Sequence, residues 1–393
     1  GAAVATCQWN RFWLLVPNLG AACYDSPCPE SFTRRFGVRE GHCRTLRKRA
    51  ETRTITAQLR AGQQQKPTEA GEDRMKKALI TGITGQDGSY LAEYLLSLDY
   101  EVHGFYRRTS TGNLSRIEHI LDKITLYKGD LLDAISIGTA LQYVEPDEVY
   151  NLADQDNVGW SFKSSVYSCQ ITATAPVTIL EAILGLSNWP EVRFFQPVSA
   201  TMFGFSNPKQ HEKTPFNPGS PYAVAKTTAY YFTKYYREHR DLFASTGIMF
   251  NHDSERRSDD YLLHHIANSA IAIARGESET MSLGNLNLEV DIGFAGDYVK
   301  AMHTILQLDK PDDFCVGTGM PYKIGELADE ALSLVGVFDR ESIIENSEFS
   351  GLQPTLICNW AKMRDATKWV HKYDALSLLQ KMIRDKLERR PLL

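Results

Sequence analysis

The chain is poor in the features that would mark a secreted, membrane-spanning or nucleic-acid-binding protein. It has 7 cysteines in 393 residues. Four of them (Cys7, Cys23, Cys28 and Cys43) crowd into the first 74 residues, and only Cys169, Cys315 and Cys358 fall in the remainder. So few scattered thiols cannot form a disulfide framework, which fits a reducing cytoplasm. Cys23 and Cys28 have no second pair at zinc-ribbon spacing, so no metal site is expected. No apolar run is long enough to span a bilayer. The stretch Phe12–Val16 is too short and wrongly flanked to be a signal peptide, so no membrane partner is expected either. Positive charge is lacking too: residues 75–393 carry 31 Lys/Arg against 41 Asp/Glu, a net of −10. An acidic body argues against nucleic acid as a partner.

What remains is an ordinary globular composition, 43% apolar and 23% charged, long enough for one large or two smaller domains. Residues 1–74 stand apart. They carry 12 basic and 7 acidic side chains, a net of +5, with frequent Pro, Gly, Gln and Arg and no sustained hydrophobic period. We read them as an extension foreign to the fold, to be set aside in fold reasoning, in preference to an arm that docks on a partner subunit. Past residue 74 there is no internal repeat and no low-complexity segment.

From residue 76 strand and helix patterns alternate. Strands are expected at Ala78–Thr81, Val102–Tyr106, Ile124–Lys128, Glu148–Leu152, Arg193–Val198 and Ala244–Phe250. Helices are expected over 88–98, 134–144, 170–186 and 222–239. This is βαβ alternation, and it predicts an α/β fold of Rossmann type, a doubly wound parallel sheet covered by helices. After residue 250 short strands (Thr280–Leu283, Phe314–Val316) mix with helices over 261–275, 296–308, 325–335 and 372–388. That pattern predicts a smaller mixed α/β substrate lobe over 251–393 beside a dinucleotide-binding domain over 75–250, with some chain crossing back.

The first strand runs into Gly82-Ile-Thr-Gly85-Gln-Asp-Gly88 and then an amphipathic helix with Tyr90, Leu91, Tyr94, Leu95 and Leu98 on one face. Glycines here permit a tight turn and let backbone amides approach a pyrophosphate on the helix N-terminus. After the second strand the chain reads Arg107-Arg108-Thr109-Ser110. An acid at this place favours NAD and an arginine suits a 2′-phosphate, so NADP is expected, with NAD possible. Ligands of such sheets bind beyond the carboxyl ends of the strands, which brings Gly82–Gly88, Asp130-Leu131, Ala153–Asn157 and Ser199–Gly204 to one edge.

Tyr222 and Lys226 stand four apart on a predicted helix and so share a face. An ammonium beside a phenol favours the phenolate, which is expected to lower the Tyr222 pKa and make it a base for a sugar hydroxyl while hydride leaves for a nicotinamide. Ser199, at the end of the fifth strand, can bond the same substrate oxygen.

Through these residues the chain resembles the extended short-chain dehydrogenase/reductases, and within them the GDP-mannose 4,6-dehydratase family. The resemblance covers essentially 76–393. It rests on ITGITGQDGSYLAEYLL (80–96), RIEHI (116–120), GDL (129–131), TPFNPGSPYAVAK (214–226), FNHDSERR (250–257), SLGN (282–285) and DYVKAM (297–302). It implies a lyase that uses its nicotinamide cofactor reversibly: oxidation at a sugar carbon, loss of water made possible by the acidified neighbouring C–H, and return of hydride. It also implies Tyr222 as the base, Lys226 as its electrostatic partner and Ser199 as hydroxyl helper. Cofactor positions implied are Gly82, Gly85, Gln86, Asp87, Gly88, Arg107, Asp130, Leu131, Leu152, Ala153, His252 and Arg257. Asp156, Asn251 and His264 fall on the substrate side, and a homodimer or homotetramer is expected.

The sequence departs from the family at the site. Thr201 stands where the family has the glutamate that removes the carbon-bound proton. Val290 and Gln353 replace two arginines, and Leu263, His264 and His265 stand for a Thr-Arg-Lys run. Each charge-assisted hydrogen bond is worth about 1.5–3 kcal/mol, so the absence of two or three cations is expected to weaken diphosphate binding by about a hundredfold at the low end and by more than roughly a thousandfold at the high end. The family's Ala-Gln-Ser-His-Val loop is Asp154-Gln155-Asp156-Asn157-Val158 here, and Asp156 is a candidate replacement for the missing base. The reading that follows is a dehydratase acting on a nucleotide sugar or, because fewer cations face a phosphate, a nucleoside-type sugar. A 4-epimerase and a non-catalytic dinucleotide-binding homologue are the alternatives.

Overall fold

The computed structural model describes residues 74–346 and 354–389. The amino-terminal extension, with Cys7, Cys23, Cys28 and Cys43, and also Gln353, lie outside the described residues. Met75–Leu393 form one compact unit. Among the described residues no helix is long and apolar enough to cross a membrane.

Six strands follow the expected alternation: β1 (Lys77–Thr81), β2 (Glu101–Tyr106), β3 (Ile124–Lys128), β4 (Glu148–Asn151), β5 (Arg193–Ser199) and β6 (Phe243–Met249). Between them run α1 (Gln86–Leu96), α2 (Ala134–Val144), α3 (Ala175–Leu184) and α4 (Pro221–His239). β7 (Asn251–Asp253), α5 (Leu262–Ala274), β8 (Met281–Leu283), β9 (Glu289–Val290), β10 (Ile292–Phe294), α6 (Ala295–Leu306), β11 (Asp313–Val316), β12 (Tyr322–Lys323), α7 (Ile324–Leu334), β13 (Ile343–Glu345) and α8 (Ala375–Arg389) complete the order used here.

The main sheet has seven strands in the order β11-β6-β5-β4-β1-β2-β3, every pair parallel. A sheet covered on both sides needs apolar residues on both faces of its strands. In β1, Ala78 and Ile80 join Leu91 and Leu95 of α1 and Met302 and Ile305 of α6. Leu79, between them, joins Leu141 of α2 and Ile179 and Ile183 of α3 on the other face. The strand order reverses between β1, which pairs with β2, and β4, which pairs with β1 from the other side. This switch point opens a crevice at the carboxyl ends of the strands.

After residue 250 the chain crosses back once to the main sheet. β11, expected as part of the substrate lobe, pairs with β6 and closes the main sheet. The cause is α6, whose buried Tyr298, Val299, Met302, Ile305 and Leu306 pack with α1 and the sheet and carry the chain back to the edge. The remaining carboxyl-terminal elements have their own core, in which Leu263, Ile266 and Ala270 of α5 meet Leu327 and Ala331 of α7 and Leu378, Leu379 and Met382 of α8. Segment 250–257 is tied to α1: Ser254 Oγ donates to Gln86 Oε1 at 2.8 Å, and Arg256 reaches Ser89 Oγ at 3.0 Å and Glu93 Oε1 at 2.6 Å.

Candidate active site

A cleft of about 1100 Å3 runs across the switch point. Its cofactor end is built by the glycine turn. Thr81 Oγ1 donates to Asn151 Oδ1 at 2.8 Å and accepts from the Ala153 amide at 3.1 Å, which ties the ends of β1 and β4 together. Gly82 sits at φ +69°, where a Cβ would lie 2.7 Å from the Ala153 nitrogen. Gly88 sits so close under the turn that a Cβ would lie 2.3 Å from the Gly82 carbonyl oxygen. Gly85 is the N-cap residue of α1 and supplies no side-chain cap, so the first helical amides remain for an anion. Gly82, Gly85, Gln86, Asp87, Gly88, Arg107, Asp130, Leu131, Leu152, Ala153, His252 and Arg257 all line the cleft.

Six of these side chains are fixed by partners, Gln86 by the Ser254 hydroxyl and Asp87 by His252 among them. Arg107 Nη1 donates to Tyr167 Oη at 2.7 Å, at the end of β2. Asp130 Oδ1 accepts the Leu132 amide at 3.0 Å. His252 faces the Phe250 carbonyl with Nδ1 (2.9 Å) and Asp87 Oδ2 with Nε2 (2.8 Å), so both ring nitrogens meet acceptors and the imidazolium satisfies both. The Arg257 guanidinium stacks 3.7 Å from the Tyr261 ring centroid and pairs with Asp156 Oδ2 at 3.2 Å. Its buried Nε has no partner among the described residues. A free-capped helix end, a glycine cradle and an unpartnered guanidinium N–H together fit a bound dinucleotide phosphate.

The Asp87–His252 pair makes stability pH-dependent. Burial pushes the Asp87 carboxyl up, but the His252 cation and its hydrogen bond outweigh it and hold the group at about 2, below the ordinary 3.8. Burial lowers His252, and the Asp87 carboxylate more than reverses that, leaving it above the ordinary 6.5. Asp87 therefore contributes stability above its unfolded value and loses it as pH falls toward 2. His252 contributes fully below its unfolded value and loses its share as pH rises through the raised folded one. Asp87→Asn is expected to lower the unfolding midpoint most between about pH 4 and 6.5. A midpoint difference that is flat with pH in thermal melts would contradict this.

The end of the cleft that holds Tyr222 and Lys226 is set by α4. Ser220 caps the helix, accepting the Ala223 amide at 3.1 Å, and Pro221 starts it. Tyr222 and Lys226 then share a face, with Lys226 Nζ 5.7 Å from the phenol ring centroid. The Tyr222 amide donates to Ser161 Oγ at 3.2 Å. Ser199 Oγ, at the end of β5, accepts from the Thr201 amide (3.2 Å) and the Thr201 hydroxyl (2.9 Å), leaving its own proton to donate. Tyr222, Lys226, Ser199, Thr201, Asp156 and Asn251 all line the same cleft.

Two expectations are corrected. The phenolate does not follow from Lys226 alone. Burial raises Tyr222, Lys226 lowers it, Asp154 and Asp156 raise it, and the Ser199 hydrogen bond lowers it. The sum pushes the phenol up to about 12. The substrate side also differs at His264. That ring is buried at 3% exposure, with Nε2 2.6 Å from the Ser254 carbonyl, and does not line the cleft. One residue along α5, His265 does line it, with Nε2 2.8 Å from the Ser282 carbonyl. Val290 lines the same end beside Leu283, Leu288, Ile292 and Ile324, an apolar wall.

Sequence reasoning missed Asp154. Its Oδ2 lies 2.5 Å from Lys226 Nζ, and Lys226 also donates to the Pro197 carbonyl at 3.0 Å. The other carboxylate oxygen accepts from the Thr172 hydroxyl and from the Gln155 amide. The available signals were its place directly after β4, on the crevice edge, and its departure from the alanine of the family pattern.

The sequence profile of the family described as GDP-mannose 4,6 dehydratase matches residues 79–382. GDP-mannose 4,6 dehydratase 1 of Arabidopsis thaliana is 39% identical over 327 residues, covering 80% of this chain and 90% of the relative. The GDP-mannose 4,6 dehydratase of Drosophila melanogaster is 41% identical over 289 residues, covering 70% and 72%. Among solved structures, a dTDP-glucose 4,6-dehydratase from Bacillus anthracis in complex with NAD superposes with a TM-score of 0.69 at 20% identity, over 81% of this chain and 100% of that one. A UDP-glucose 4-epimerase from Thermus thermophilus, also with NAD, gives 0.68 at 19%, over 78% and 99%. At such identities these two show the shared fold alone.

Proposed function

The chain belongs to the GDP-mannose 4,6-dehydratase family, and from that premise we propose that it is a redox-neutral sugar dehydratase, a hydro-lyase that recycles NADP, with NAD as the second choice. The observation that carries the reading is the convergence of Tyr222, Lys226 and Ser199 on the cleft that the glycine turn also lines. Arg107, with no acid beside it in Arg107–Ser110, supports the 2′-phosphate form. A nicotinamide bound there supplies a hydride acceptor and later the hydride donor.

The chain's own residues supply the rest. Ser199 donates to the reacting sugar oxygen and Tyr222 takes its proton as the ketone forms. The ketone acidifies the adjacent C–H, and water is lost across the next bond. Thr201 cannot accept that carbon-bound proton near neutral pH. Asp156 is the carboxylate we assign to it, held at the cleft by Arg257 at 3.2 Å and by the Tyr261 hydroxyl at 3.4 Å.

The substrate we propose carries less phosphate than a nucleoside diphosphate sugar, down to a nucleoside-type sugar. Val290 and the apolar residues around it offer nothing to a second phosphate, and Arg257 already serves Asp156. A second reading, a 4-epimerase, is favoured by the Ser199–Thr201 hydroxyl pair, which puts no carboxylate at that strand end.

Incubation with GDP-mannose, UDP-sugars and free nucleosides in deuterated water, read by mass spectrometry, tests all of this. The expected result is loss of one water from the phosphate-poor class with deuterium carried into the product, both abolished by Asp156→Asn. An isomer of unchanged mass with no deuterium would establish the epimerase instead. Dehydration of GDP-mannose alone would reject the phosphate-poor substrate.

A further inference from the structure

Lys226 is the cation on which activation of Tyr222 depends, yet its charge is already answered inside the protein. Asp154 Oδ2 stands 2.5 Å from Nζ, with both side chains nearly buried, at 12% and 7% exposure. The carboxylate is not a stray neighbour. Thr172 and the Gln155 amide hold its other oxygen, and Thr172 is presented by a wide, π-type turn (Cys169–Thr174) that leads into α3. Widened turns of this kind recur at functional sites. An ion pair this short and this dry is compensated in part locally, so the ammonium field that lowers Tyr222 is opposed by the carboxylate beside it.

Resting on the reading of Tyr222 as the proton acceptor, we infer that Asp154 is a positioning residue. By pairing with Lys226 it keeps Tyr222 in its phenol form near neutral pH and moves the enzyme's working range to the alkaline side. The groups that face Tyr222 are few. Lys226 comes from its own helix, Asp154 and Asp156 from the loop after β4, Ser199 from β5, and Tyr261 from the segment before α5, with Arg257 behind Asp156. Of these, Asp156 is offset by Arg257, whereas Asp154 has only Lys226 as its cationic partner among the described residues. Burial is the largest influence that raises Tyr222, Lys226 opposes it, and Asp154 adds to the rise ahead of Asp156.

The consequence is chemical as well as electrostatic. A redox-neutral cycle needs the tyrosine first as a base and then as a proton source for the enolate oxygen formed when hydride returns to the unsaturated carbon. A phenol kept protonated favours the returning half of the cycle, where the O–H bond of Tyr222 breaks and its proton goes to the substrate oxygen. The forward half then waits on the small fraction of phenolate, which rises tenfold per pH unit.

The test is the pH profile of kcat/KM for the wild type, Asp154→Asn and Asp154→Ala. The second variant returns the alanine of the family pattern and guards against a folding defect in the first. It is joined by a tyrosinate absorbance titration read as each protein minus its Tyr222→Phe counterpart. The expected result is an acid limb displaced to lower pH by one unit or more in both variants, with the Tyr222 titration displaced in the same sense. A uniform loss of activity with the limb and the titration unmoved would overturn the inference and leave Asp154 a packing residue. Full activity in Tyr222→Phe would instead bring down the proposed chemistry itself, a failure that is read on a different protein.

Discussion

Tyr222→Phe is expected to lower kcat by about 10²- to 10⁴-fold, the usual worth of a positioned acid–base group. The substitution removes one oxygen and keeps the ring that α4 buries at the cleft floor. The Lys226 ion pair with Asp154 does not involve that oxygen, and the helix start is fixed by Ser220 and by the Tyr222 amide bond to Ser161. The unfolding midpoint and dinucleotide binding should therefore stay near the wild-type level while turnover collapses. Steady-state kinetics with a thermal melt separate the two. A variant that melts normally and turns over at the native rate would remove Tyr222 from the chemistry.

The second large effect concerns the glycine turn. In Gly88→Ala the new methyl would be built 2.3 Å from the Gly82 carbonyl oxygen and 2.6 Å from the Ile83 Cα. Both are backbone atoms, so no side chain can rotate away and the turn must open. Opening it pulls the first amides of α1 from the position an anion needs. Dinucleotide binding is expected to weaken by at least roughly a hundredfold, because more than one charge-assisted hydrogen bond of about 1.5–3 kcal/mol goes at once. Gly138→Ala in α2 is the matched control. Beyond its own helix backbone no atom lies within 4 Å of its added methyl, and alanine is the better helix former by about 0.5–1 kcal/mol. Nicotinamide fluorescence titration of the two proteins decides it: equal affinities would mean that the turn does not hold the cofactor.

The regular parts of the fold were legible because their signals are local. Ile124–Lys128 and Ala134–Val144 stand where hydrophobic period and flanking residues put them. Asp-Phe-Cys-Val over 313–316 reads as a short strand either way, but only the distant partner Thr246–Met249 tells which sheet it joins. His264 and His265 differ by one step of a helix, about a third of a turn, and the phase is set by Leu263 and Ile266 entering a core with α7 and α8 that the sequence does not display. Asp154 and Lys226 lie far apart along the chain, and their meeting depends on β4 and α4 converging at one edge. Burial of Tyr222 was equally invisible. A four-residue spacing reports a shared helix face, not the dielectric in which the pair sits.

The links from Ser254 and Arg256 to α1 carry a consequence for how this molecule can evolve and be engineered. The stretch that begins the proposed substrate portion is bolted to the very helix proposed to receive the phosphates, and His252 completes the polar surroundings of Asp87. The two halves thus share a wall. A grafted recognition portion from another enzyme would bring a new Gln86 and Asp87 environment with it, so a change of sugar preference by wholesale exchange would disturb coenzyme grip as well. Retuning is best sought farther out, around Val290 of β9, which pairs with β12 rather than with that shared partition.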